Sequence, residues 1–172
     1  MMEKLKAAIR EVPNWPKQGI LFYDVTTLLK NASCFRQAVN ALIGPYKDKN
    51  VDIVLGIEAR GFIFAPTVAY ALKAGFVPVR KPGKLPAEKF RVEYDLEYGT
   101  DSLEIHQDAI QPGQRVLIVD DLIATGGTAK AVAGMVEKMG GTLLGLAFLV
   151  ELEFLHGREK LAKYEVTSIL KY

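Results

Sequence analysis

RVLIVDDLIATGGT, residues Arg115–Thr128, is the stretch that decides the fold of this chain. Val116, Leu117, Ile118 and Val119 form an unbroken apolar run, the pattern of a strand buried on both faces of a parallel sheet. Asp120 and Asp121 follow directly, and the small and hydroxyl residues Ala124, Thr125, Gly126, Gly127 and Thr128 come shortly after. Ala129–Met139 has the composition of a helix. A strand, an acidic pair and a Gly/Thr turn opening a helix put backbone N–H groups and a helix N-terminus at the strand's carboxyl end, which makes a phosphate cradle. The run has neither a GxGxxG fingerprint nor the lysine of a Walker loop. An acidic pair would repel phosphate, but carboxylates accept well from the vicinal hydroxyls of a ribose. The ligand implied is a ribose 5-phosphate. Gly127 is expected to take a positive φ that a β-branched side chain would resist. The competing reading, a solvated strand end and an ordinary turn, needs chance assembly of the whole string.

Working outward, Ile53–Gly56 predicts a second buried strand, then a turn at Glu58–Gly61 and a helix over about 64–73. Phe76–Val79 reads as a short strand, Leu143–Val150 as the strand after the signature helix, and Val166–Leu170 as a closing edge strand. Towards the N-terminus, Met2–Val12 reads as an amphipathic helix ended by Pro13, and Asn14–Asp24 as an irregular lobe with an extended piece at Ile20–Tyr23. Phe35, Val39, Leu42 and Ile43 make a helical stripe within Ser33–Lys47. Residues 80–102, charged and broken by Pro82, Gly83 and Pro86, predict a long mobile loop or hairpin. Strands alternating with helices predict an α/β fold, an open and mainly parallel sheet flanked by helices, with its ligand outside the strands' carboxyl ends.

The 172 residues suit one domain, 1–172, and are too few for two of ordinary size. With 49% hydrophobic and 24% charged residues the composition is that of a soluble globular protein. A net charge of +2 gives no basic face for nucleic acid. No apolar run approaches the ~20 residues of a membrane span, and the N-terminus lacks the apolar core of a signal peptide. Cys34 is the only cysteine, so no intrachain disulfide forms; a cytoplasmic location is the expectation.

A second strand-to-turn site, IVLGIEARG, sets Arg60 beside Gly61. Arginine supplies planar, permanently charged donors to phosphate oxygens, and glycine lets the backbone approach. Alone, such an arginine more often lies on the surface; beside a ribose-phosphate cradle, anion binding is the better reading. Arg80, Lys81, Lys84, Lys89 and Arg91, against Glu88, make the following segment basic, as a lid over a polyanion would be.

VLIVDDLIATGGT resembles the phosphoribosyl pyrophosphate (PRPP) signature of the type I phosphoribosyltransferases. The resemblance implies that family's fold, with a small N-terminal hood at about 1–30 and a mobile lid at about 80–102. Pro16–Asp24, Arg80–Pro86, Leu96–Gly99, Val150–Leu152 and Gly157–Leu161 resemble the hood, lid and C-terminal motifs of the adenine phosphoribosyltransferases, so the likeness spans essentially the whole chain. It implies a transfer of phosphoribose from PRPP to adenine that gives AMP and pyrophosphate. Ala124–Thr128 would hold the 5′-phosphate, and Asp120 and Asp121 the ribose. Arg60, Gly61, Arg80, Lys81 and Lys84 would hold pyrophosphate, with a cis peptide at Glu58–Ala59. Adenine would lie between Phe22 and the side chains of Leu122 and Leu152, its edge read by backbone around Leu21 and Tyr23. On sequence alone an ordinary core aromatic is the preferred reading of Phe22. Glu97 would handle the purine proton, and Tyr98 would close the site. Mg²⁺ would ride on PRPP with few or no direct protein ligands. A homodimer is implied, with no nucleic-acid or membrane partner. Tyr23 departs from the arginine common at its position. His106, His156, Cys34 and the serines lack the neighbours that metal or nucleophile chemistry requires. Transfer to hypoxanthine, guanine or xanthine, and PRPP sensing without turnover, are the alternatives.

Overall fold

The computed structural model describes residues 2–95 and 99–172. In chain order the elements are α1 (Met2–Ala7), β1 (Arg10–Pro13), β2 (Leu21–Asp24), α2 (Thr26–Leu29), α3 (Ala32–Ile43), β3 (Ile53–Ile57), α4 (Gly61–Leu72), β4 (Gly75–Val79), β5 (Lys89–Asp95), β6 (Thr100–His106), β7 (Arg115–Ile123), α5 (Gly127–Lys138), β8 (Thr142–Glu151) and β9 (Val166–Lys171). Five of the strands form the central sheet, in the order β4-β3-β7-β8-β9 with every neighbouring pair parallel.

The apolar run of β7 has its cause in this sheet. Leu117 and Val119 pack into a core shared with α3 and α4, alongside Leu42, Phe64 and Val68. Val116 and Ile118 face the opposite core, with Val132 and Val136 of α5 and Leu103 and Ile105 of β6. All four are fully buried, and each contributes about 1.5–3 kcal/mol by leaving water. A strand covered on both faces leaves no position for a polar residue until it emerges at its carboxyl end.

The N-terminal expectation needs correcting. The helix stops at Ala7, and Arg10–Pro13 is a strand paired antiparallel with Leu21–Asp24. Pro13 disfavours helix for Val12, and the Arg10–Asp24 ion pair of 3.0 Å ties the two strands together. The edge strand Val166–Lys171 lies as expected beside β8. Of the two options for residues 80–102, the structure takes the hairpin: β5 and β6 pair antiparallel from Lys89↔His106 to Asp95↔Thr100. No helix among the described residues is long and apolar enough to cross a membrane.

Candidate active site

The chain leaves β3 for α4 on one face of the sheet and leaves β7 for α5 on the other. Because β3 and β7 are neighbours, their following loops diverge and open a crevice at the strand ends, the position where open α/β sheets bind ligands. A cavity of about 380 Å³ lies there, lined by Glu58–Arg60, Lys81, Tyr94, Asp101 and Asp120–Ala129. It unites the two strand-to-turn sites and the turn end of the hairpin, which are far apart in sequence.

β7 outruns β3. Their pairing ends at Gly56↔Val119, while β7 continues along β8 to Ile123. Asp120 and Asp121 are therefore strand residues, not the first residues after the strand. The Gly/Thr loop then turns through Gly126, whose φ of 76° is left-handed, and α5 begins at Gly127. The positive φ expected at Gly127 thus belongs to its neighbour: Gly127 is already helical and offers its N–H at the helix start.

Gly126 is glycine for a second reason. A Cβ there would lie 2.3 Å from the Gly157 carbonyl oxygen, and a Cβ on Gly157 would lie 2.1 Å from that of Ala124. Two backbones pass in contact, so the loop takes its shape from the C-terminal segment. That segment is fixed by Arg158, which donates to buried Glu151 at 2.9 and 2.5 Å and to the Val166 carbonyl at 2.7 Å. Gly157 belongs to the Gly157–Leu161 motif, but its role has no local signal, because its partner is distant along the chain.

Asp121 is buried, and Arg60 Nε sits 2.9 Å from its Oδ2. The contact is one of charge, since no donor N–H points along the line to that oxygen. Asp120 accepts from the Asp121 amide at 2.9 Å. Gly61 makes room for it: a Cβ there would lie 2.7 Å from Asp120 Oδ1. Burial, then the charge of Asp121, pushes the Asp120 carboxyl well above the usual range. Burial also raises that of Asp121, against the opposing pull of Arg60. Such a pair favours a positive neighbour.

A raised carboxyl supports the fold while protonated, and that support is lost as pH rises through its folded-state value. Asp120→Asn keeps an oxygen for the Asp121 amide and removes the charge. The variant should therefore melt higher than the parent at pH 8, with the difference closing as pH falls towards ~4. Relief of about 1 kcal/mol corresponds to about 2–4 °C for a chain of this size. Equal melting temperatures at pH 8 would show that the acid pair carries no such cost.

At the other rim, Arg80 Nε donates to Glu58 at 3.0 Å and the Lys81 amide to the same oxygen at 2.9 Å. The Lys81 amide, then the Arg80 guanidinium, holds the Glu58 carboxyl below its usual value. Lys81 Nζ pairs with Asp101, and Lys84 is exposed. The Glu58–Ala59 peptide is cis. Tyr94 and Asp101 line the cavity though no sequence motif points to them, and Glu58, expected only as part of the turn and its cis peptide, lines it with its side chain paired to Arg80.

At the hood, Phe22 is half-buried, edge-on to Trp15 at 4.3 Å and 5.3 Å from the Arg60 guanidinium. Leu122 lines the cavity, and Leu152 is held to the end of β7 by its amide, 3.0 Å from the Ile123 carbonyl. Leu21 is exposed. The Tyr23 side chain turns into the core and packs tilted against Tyr172, ring centroids 4.1 Å apart. Glu97 and Tyr98 lie outside the described residues.

Residues 25–171 match the phosphoribosyl transferase domain family. The chain is 64% identical over 171 residues to an adenine phosphoribosyltransferase of Solibacter usitatus, covering 99% of each. Its fold superposes on an adenine phosphoribosyltransferase from Thermoanaerobacter pseudethanolicus with a TM-score of 0.97, at 52% identity and 100% coverage of both chains. The Saccharomyces cerevisiae adenine phosphoribosyltransferase, in complex with an imino-altritol bisphosphate and adenine, gives a TM-score of 0.92 at 44% identity, covering 98% of each.

Proposed function

The chain belongs to the phosphoribosyl transferase family, and from that premise we infer that it is a purine-salvage enzyme moving the 5-phosphoribosyl group from PRPP to adenine. The observation that carries this reading is the single cavity into which the acid pair, the phosphate loop and the Arg60 turn all open. In the reaction the bond from C1′ to the pyrophosphate oxygen breaks, its electron pair leaves with pyrophosphate, and the purine nitrogen attacks C1′ and sheds its proton.

Each group has a part in that step. The amides of Ala124–Thr128 hold the 5′-phosphate at the start of α5. Asp120 and Asp121 accept from the ribose hydroxyls and favour the positive charge developing at C1′. Arg60, Gly61, Arg80, Lys81 and Lys84 serve the pyrophosphate; Arg80 reaches it as the partner of Glu58. Phe22, Leu122 and Leu152 face the base, and the backbone of Leu21 and Tyr23 reads its edge. Glu97 takes the purine proton, and Tyr98 closes the site. Mg²⁺ would be carried by PRPP beside the acid pair Asp120 and Asp121, with few or no direct protein ligands, and would neutralise charge on the leaving pyrophosphate.

The reading extends to a cytoplasmic homodimer. Ile63, Tyr70 and Phe76 are exposed apolar residues on α4 and the edge strand β4, a patch suited to a second copy of the chain. The decisive experiment is pyrophosphate release from PRPP with adenine, hypoxanthine, guanine or xanthine. Release with adenine alone is expected; release with another base instead, or none with any, overturns the assignment. Arg60→Ala should weaken PRPP binding about tenfold to a hundredfold, the worth of a charge-assisted phosphate contact. Calorimetry giving equal PRPP affinity for variant and parent would remove Arg60 from the pyrophosphate site.

A further inference from the structure

Three of the cations given to pyrophosphate are already held by carboxylates: Arg60 by Asp121, Arg80 by Glu58, and Lys81 by Asp101. Two of these carboxylates have other duties. Asp121 belongs to the ribose pair, and Glu58 anchors the 80–81 backbone by accepting the Lys81 amide. Asp101 is different. It sits on β6 directly opposite Tyr94 of β5, accepts from the Tyr94 hydroxyl at 3.3 Å and from the Ser102 amide at 2.8 Å, and faces the cavity. An anion clamped at the end of a site built for a polyanion repels what the site binds, so its contribution there is made through Lys81.

We propose that Asp101 is a positioning residue that competes with pyrophosphate for Lys81 and thereby hastens release of the product. This rests on the transferase reading above. While pyrophosphate is bound, Lys81 turns to it, and Asp101 is left without its cation beside a second anion. Departure of pyrophosphate restores the pair. A binder whose cation must first be taken from another partner has its apparent affinity scaled down to the fraction of time the cation is free.

The test uses the full chain with Mg²⁺ and inorganic pyrophosphate as probe. Asp101→Asn keeps the size of the side chain and removes the competing charge. It should bind pyrophosphate and PRPP about tenfold more tightly, since like-charge juxtaposition opposes binding. The KM for adenine should hardly change, while kcat falls if release limits turnover. Asp101→Ser, which removes the carboxylate by another route, should shift affinity in the same direction. In a Lys81→Met background the gain from Asp101→Asn should shrink, because the competition is for that lysine. Unchanged or weaker pyrophosphate binding in both Asp101 variants overturns the proposal, and so does an undiminished gain without Lys81. Failure of the transferase reading is distinct: it appears as a parent protein that makes no AMP from adenine and PRPP.

Discussion

Gly126→Val is expected to lower turnover of PRPP by about 10²-fold or more while leaving the protein folded. The residue holds φ at 76°, and its Cβ would sit 2.3 Å from the Gly157 carbonyl oxygen and 3.0 Å from the carbonyl carbon. Backbone cannot swing aside as a side chain can, so the loop must move. A displacement of about 1 Å in a positioning element can cost ~10²-fold in rate. The strain itself is about 1–3 kcal/mol, below the ~5–15 kcal/mol that keeps a domain folded. Circular dichroism and PRPP calorimetry on one sample check both halves. A folded variant with parental PRPP affinity would mean that this loop is not the phosphate cradle.

Glu97→Gln should lower kcat by about 10²–10⁴-fold, the usual worth of one positioned acid–base group. In the sequence Glu97 stands between Tyr94 and Asp101, both of which line the cavity. Glutamine keeps the shape and loses the base, so the fall should appear in kcat with adenine KM little altered. Were Glu97 only a partner for a lid lysine, the variant would instead raise the PRPP KM. A near-parental kcat, with chemistry shown to limit the rate, would falsify the acid–base role.

How far the sequence was legible depends on the distance between a residue and its cause. Val116–Val119 announced a doubly covered strand because burial acts on each residue separately. The acids and glycines after it are legible as a turn opening a helix, which the structure has at Gly126–Gly127, because a turn and a helix start need only neighbouring residues. Arg10–Pro13 misled because its apolar spacing is compatible with a helix, and the strand partner that decides the matter, Leu21–Asp24, lies across a turn. Asp101 looked like one acid among many because its meaning comes from Lys81, on the far side of the lid segment. The place of the positive φ, Gly126 and not Gly127, was set by contact with Gly157, which no local pattern encodes.

The touching backbones of Gly126 and Gly157 bear on protein engineering. Leu152, proposed to face the base, and Gly157, which packs against the loop proposed to hold the 5′-phosphate, share one short stretch held down by Arg158. A chimera that imports this stretch from a relative with a different nucleobase preference also imports a new wall for the cradle. Grafts meant to retune base choice must therefore carry 124–127 and 152–158 together, as one inheritable module whose two halves cannot be exchanged separately.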